Sequence, residues 1–158
     1  MNNTSIIENF IFPSIPQISS VFEFIKANYH QPIRLKEVAE EVGYSAAYLT
    51  DQVHRLTGKT VNNWIIEYRL AVARTLLLQT DKSANQIALK VGYQNTNHFY
   101  RQFREYHQMT PLAWRKAQRS YNLIRDFQKI NYPIFWSGSD YSSYYVPHKQ
   151  NQDYLLTK

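Results

Sequence analysis

The 158-residue chain has no cysteine, which excludes disulfides, thiolate zinc sites and cysteine nucleophiles. No apolar run approaches the ~18 residues of a membrane-crossing helix. Nothing basic precedes Lys26, so a secretory leader is not expected. The expectation is a soluble cytoplasmic protein with no membrane partner. The five histidines, at positions 30, 54, 98, 107 and 148, are scattered. They form no H-E-x-x-H pair and no carboxylate-rich cluster. A glycine-rich phosphate loop and a G-x-S-x-G elbow are missing too. No metal, no cofactor and no enzymatic activity are therefore expected.

What is present is a helical, basic chain. Hydrophobic residues make up 44% of it, enough to bury the core of one compact unit or two very small ones. The net charge is +6, which favours a polyanionic partner. Its location says more than its total. Between positions 82 and 119, Lys82, Lys90, Arg101, Arg104, Arg115, Lys116 and Arg119 stand against Glu105 alone. Between positions 33 and 59, Arg34, Lys36, Arg55 and Lys59 are balanced by Glu37, Glu40, Glu41 and Asp51.

The spacing predicts helices throughout. Positions 1–17 show no clear period and read as a flexible arm. Ile18, Val21, Phe22, Ile25 and Tyr29 then recur at helical spacing, and Gln31-Pro32 breaks that helix. Leu35, Val38, Ala39 and Val42 mark a short helix closed by Gly43. Ser45 caps the next, with Leu49, Val53 and Leu56 inward and Gly58 at its end. From Thr60 to Gln79, Val61, Trp64, Ile65, Tyr68, Val72, Leu76 and Leu77 mark the buried side of a longer helix. Ser83 and Gln86 form a capping box before Ile87, Ala88 and Val91. Gly92 is placed where the chain leaves that helix. Asn95 caps the next helix, whose inward stripe is Phe99, Phe103 and Tyr106. Its other face carries Thr96, Asn97, Tyr100, Arg101 and Arg104, a row of hydrogen-bond formers suited to a DNA groove. Thr110-Pro111 starts a last helix running past Arg119 toward Ile130. The aromatic-rich tail after Pro133 reads as disordered, with a packed flap or self-association surface as the second reading.

An internal repeat ties these elements together. Val38-Ala39-x-x-Val42-Gly43-Tyr44 matches Ile87-Ala88-x-x-Val91-Gly92-Tyr93 at an offset of 49. Leu49, Val53 and Leu56 match Phe99, Phe103 and Tyr106 at an offset of 50. The pattern is two helix-turn-helix units separated by a connecting helix.

These residues resemble the DNA-binding domain of the AraC/XylS transcription regulators. The resemblance rests on Trp64-Ile65-x-x-x-Arg69-x-x-x-Ala73-x-x-Leu76-Leu77 and Ile87-Ala88-x-x-x-Gly92-Tyr93. It continues through Phe99-x-Arg101-x-Phe103-Arg104 and Thr110-Pro111-x-x-Trp114-Arg115. It implies an all-α fold of two helix-turn-helix subdomains joined by a long connecting helix. The implied organisation is a domain over 18–119, with helix-turn-helix units at 35–58 and 83–107 and the connecting helix at 60–79. A helix extension and tail occupy 120–158. It further implies a bacterial, sequence-specific DNA-binding regulator that places two recognition helices in successive major-groove segments. Without a large sensory domain, the chain resembles the compact members of the family.

By position in the motif, the resemblance places Ala47, Thr50 and Asp51 toward bases from the first recognition helix. Thr96, Asn97, Tyr100 and Arg101 take that place in the second. Arg101 suits bidentate guanine readout and Arg104 a phosphate contact. Asn97 suits adenine, with capping or plain exposure as the alternative. For Asp51 the stronger reading is an exposed acid or a local partner of Arg55. Trp64 and Trp114 read as core, and Arg69 and Arg74 as surface or bracing residues. Two departures stand out. Ala47 and Asp51 replace large or basic side chains, and Gln108 replaces the usual glycine, which suggests a turn of altered shape. The expected partner is double-stranded DNA, with RNA polymerase as a second candidate, and the expected state is a monomer or weak homodimer. The alternative is a protein-interaction module of the same fold that docks on another regulator or on RNA polymerase.

Overall fold

The computed structural model describes the backbone of residues 11–131 and the side chains of residues 11–123. The first ten residues and the aromatic tail from 132, with the expectations attached to them, lie outside the described residues. The chain divides into two units, Met1–Leu123 and Ile124–Lys158. The first holds all elements through the start of the last helix. Of the second, only that helix's continuation is described.

Seven α-helices lie within the described residues: α1 (Ser19–Asn28), α2 (Leu35–Glu41), α3 (Ala46–Thr57), α4 (Val61–Gln79), α5 (Ala84–Lys90), α6 (Thr96–His107) and α7 (Pro111–Asn131). Their boundaries follow local chemistry. Each helix start leaves unpaired N–H groups that a side-chain oxygen can accept. Ser45 accepts from the Tyr48 N–H, Thr60 from Asn63 and Asn95 from Asn97. At α5 the capping box is complete: Ser83 accepts from the Gln86 N–H at 3.2 Å, and Gln86 Oε1 accepts from the Ser83 N–H at 2.9 Å. Thr110 accepts from the Ala113 N–H at 3.3 Å, beside Pro111 in the first turn of α7.

Two hydrophobic cores share α4. Val21, Phe22, Ile25, Val38, Leu49 and Val53 pack against Val61, Trp64, Ile65 and Tyr68 in the first. In the second, Ile87, Ala88, Val91, Phe99 and Phe103 pack against Leu70, Ala73 and Leu77. Thus α4 buries one end's apolar side in one core and the other end's in the next. That is why Leu70 and Ala73 are buried outside the single stripe that periodicity marked, while Val72 and Leu76 within that stripe are only partly buried.

The arm expected at 1–17 is in part structured, which corrects that reading for its described portion. Ile11, Phe12 and Ile15 pack on the first core. The Phe12 ring stacks 4.4 Å from Phe22 and 5.2 Å from Tyr68, centroid to centroid. Three apolar residues at irregular spacing give no periodic signal, yet each still gains by leaving water.

Both α3 and α6 end on a residue in the left-handed region, Gly58 at φ 70° and Gln108 at φ 56°. The turn after α6 therefore keeps the same conformation despite losing its glycine, contrary to the altered shape expected. A side chain in that region costs about 1–2 kcal/mol, while glycine's extra freedom when unfolded returns roughly 0.5–1. Gln108→Gly is thus expected to raise stability by about 0.5–1 kcal/mol. Urea unfolding would check it; a lower midpoint at unchanged slope would show that the backbone there carries no strain.

Candidate nucleic-acid interface

The two recognition helices are built alike and furnished differently. On α3, buried Leu49 and Val53 fix which side faces inward, leaving Ala47, Thr50 and Asp51 exposed. The Thr50 hydroxyl donates to the Ala46 carbonyl at 2.8 Å, so outward it offers an acceptor oxygen and a methyl. Among the described residues Asp51 forms no ion pair: Arg55, its candidate partner, donates instead to Gln52 Oε1 at 2.6 Å. At these three positions the helix therefore presents methyls and acceptors.

On α6, Phe99 and Phe103 are fully buried, and Asn97, Arg101 and Arg104 are exposed. Their spacing of four and then three residues sets all three on one face. Among the described residues, neither Arg101 nor Arg104 has a side-chain hydrogen bond or an ion pair, so this helix presents unused donors. Thr96 and Tyr100 are only half-exposed. The Tyr100 ring meets Phe99 edge-on at 5.8 Å and packs on the second core, so it is partly a packing residue.

The fold uses three other arginines internally, Arg69, Arg115 and Arg119. Arg115 donates to the Leu77 carbonyl at 2.9 Å and the Lys82 carbonyl at 2.5 Å. Arg119 donates to the Thr80 carbonyl at 2.8 Å and to Asp81 Oδ1 at 3.0 Å. Both arginines gather the unpaired carbonyls at the end of α4, where a positive charge is favoured. Part of the positive charge between 82 and 119 is therefore committed to holding α7 against α4. Lys59 is engaged as well, 2.7 Å from Glu67 and over the Trp64 ring.

Gln102, beside Arg101, is held by the Tyr93 hydroxyl, which donates to its Oε1 at 2.7 Å. Burial pushes the Tyr93 hydroxyl far above the usual phenol range, opposed in part by the nearby Arg69 guanidinium. It stays a proton donor at any physiological pH, so the turn before α6 and the helix itself are fixed together.

The structure adds residues that sequence reading passed over. His54 is exposed at the α3 position matching Arg104, fifty residues earlier, and the repeat's own offset pointed to it. Tyr44 and Tyr48, 45% and 49% exposed, lie with ring centroids 4.9 Å apart at the start of α3. Among the described residues, no three His, Asp or Glu side chains come together to hold a metal ion, and no helix is long and apolar enough to cross a membrane.

Residues 38–117, half of the chain, match a family model described as a helix-turn-helix domain, of AraC type. The chain belongs to the AraC-type helix-turn-helix family. It is 35% identical over 100 residues to an uncharacterised HTH-type transcriptional regulator in the cgkA 5' region of Pseudoalteromonas carrageenovora. That match takes in 63% of this chain and 59% of the relative. Identity to the melibiose operon regulatory protein of Escherichia coli K12 is 35% over 102 residues, 65% of this chain and 34% of that protein. A solved AraC-type regulator from Chromobacterium violaceum superposes with a TM-score of 0.61 at 33% identity, covering 66% of this chain and 92% of that one. The chain spans 59% of the length of the first of these curated relatives and 34% of the second.

Proposed function

We propose that the chain is a sequence-specific DNA-binding transcription regulator that acts as a monomer or weak dimer, without catalysis. The observation that carries this reading is the α6 face: Asn97, Arg101 and Arg104 exposed side by side, with neither arginine paired among the described residues, in a fold that ties down Arg69, Arg115 and Arg119. In the proposed complex Arg101 reads guanine, Asn97 reads adenine and Arg104 holds a phosphate. On α3, Ala47 and Thr50 offer methyls to thymine, and Asp51 accepts from cytosine N4. The 19-residue α4 spans on the order of 28 Å, which suits two major-groove segments about 34 Å apart. The family membership and the named relatives support a regulatory role.

A salt titration of duplex binding tests the reading. Each neutralised phosphate contributes about −0.9 to the slope of log affinity against log salt. Arg104→Ala is expected to make that slope shallower by about 1 on any sequence. An affinity independent of salt would remove duplex DNA as the partner. RNA polymerase is the second proposed partner, favoured by the exposed, uncharged Tyr44–Tyr48 pair on the first subdomain.

A further inference from the structure

The two cores meet where the end of α1 touches the second helix-turn-helix. Arg69, half-buried on α4, donates from Nε to the Tyr29 carbonyl at 2.8 Å and from a terminal nitrogen to the Gln31 carbonyl at 2.7 Å. Its guanidinium also lies over the Tyr93 ring, 5.6 Å from the centroid. One planar group thereby holds the close of α1 in the first core and the turn before α6 in the second. Gly92 in that turn approaches the same loop so closely that a Cβ would stand 2.5 Å from the Tyr29 oxygen. Tyr29 itself packs on both cores.

Fifty residues later, Arg119 on α7 takes the terminal carbonyls of α4, Leu77, Leu78 and Thr80, in the same manner. The two arginines differ in what they join. Arg119 ties a flanking helix to one subdomain, whereas Arg69 bridges both.

We infer that Arg69 is a positioning residue that sets the angle and separation of the two recognition helices, and so the spacing of half-sites the protein accepts on DNA. This rests on the two-headed reading given above. A forked, planar donor on two carbonyls fixes orientation, which a single-point ammonium does not. With the linkage rigid, the second recognition helix is presented at high effective concentration at one spacing only. With the fork removed, the helices swing over a range of spacings, each at lower effective concentration.

The test uses the full chain and duplexes carrying both half-sites, with the intervening length changed by up to two base pairs either way. Each base pair turns one half-site by about 34–36° relative to the other. Wild-type affinity is expected to fall about tenfold or more at the extremes. Arg69→Gln should flatten that dependence to about threefold or less, weaken the best-spaced site by about 3–10-fold, and leave binding to an isolated half-site unchanged. Arg69→Lys, which keeps the charge beneath Tyr93, should flatten it as well. Arg119→Gln should lower the unfolding temperature while keeping the wild-type spacing dependence. The inference is overturned if either folded Arg69 variant keeps the wild-type dependence, or if Arg119→Gln flattens it equally. A wild-type protein indifferent to spacing would overturn it too, together with the two-headed reading; the other outcomes leave that reading standing.

Discussion

Gly92→Ala should destabilise the protein by about 1.5–4 kcal/mol, the sum of about 0.5–1 net for forcing a side chain into the left-handed region and about 1–3 for crowding a packed site. The backbone there has φ 96°, and the new Cβ would meet the Tyr29 oxygen at 2.5 Å and His30 backbone atoms at 3.0 and 3.1 Å. None of these atoms belongs to a flexible side chain, so relief requires moving α1 away from the second helix-turn-helix. The first repeat supplies a control. Gly43 has φ 73° with nothing within 4 Å of a built Cβ, so Gly43→Ala should cost only the conformational part, about 0.5–1 kcal/mol net of glycine's freedom when unfolded. Urea unfolding of both variants would separate the two contributions. Equal losses at the two glycines would show that the close approach of α1 to the second turn carries no energetic weight.

Arg101→Ala is expected to weaken the selected DNA site by about 1–3 kcal/mol, roughly 5–150-fold, while random duplex is affected much less. Arg101 is exposed and has no partner among the described residues, so its removal strands no buried group there and opens no cavity. Its loss should therefore appear in binding and leave the unfolding midpoint nearly unchanged. Arg104→Ala should weaken selected and random duplex by similar factors, because a phosphate contact carries no base identity. Fluorescence anisotropy with both duplexes checks the pair. Equal losses on both duplexes for Arg101→Ala would take away its base-reading role and leave it a second phosphate contact.

Much of this architecture is legible from local signals. Ser45, Thr60, Ser83 and Asn95 each cap the helix that their position predicts, because a side-chain oxygen at the right spacing meets N–H groups one or two residues into the helix. The repeat of Val38-Ala39 in Ile87-Ala88 marked both helix-turn-helix units, since the same packing problem has been solved twice with apolar residues at the same spacing, larger in the second copy where Phe99 and Phe103 stand for Leu49 and Val53. The outward placement of Ala47, Thr50, Asp51, Asn97, Arg101 and Arg104 followed from the burial of Leu49, Val53, Phe99 and Phe103. What stayed hidden involves partners far apart in the chain. Arg69, Arg115 and Arg119 bind backbone carbonyls, and a carbonyl has no identity in a sequence. Periodicity reports one buried stripe, so it missed that α4 serves two cores on different sides. Tyr100 read as a surface hydrogen-bond former because its position suited that role, while its ring finds packing against Phe99 that no one-dimensional pattern encodes.

The most direct measurement is an unbiased selection of binding sites from random duplex DNA, run in parallel with wild-type protein and Arg101→Ala. The expected result is an enriched site with two blocks about one helical turn apart, one of them containing a guanine that the variant no longer selects. No enrichment above the starting pool, or an identical site from both proteins, would contradict a reading of DNA through the exposed face of α6.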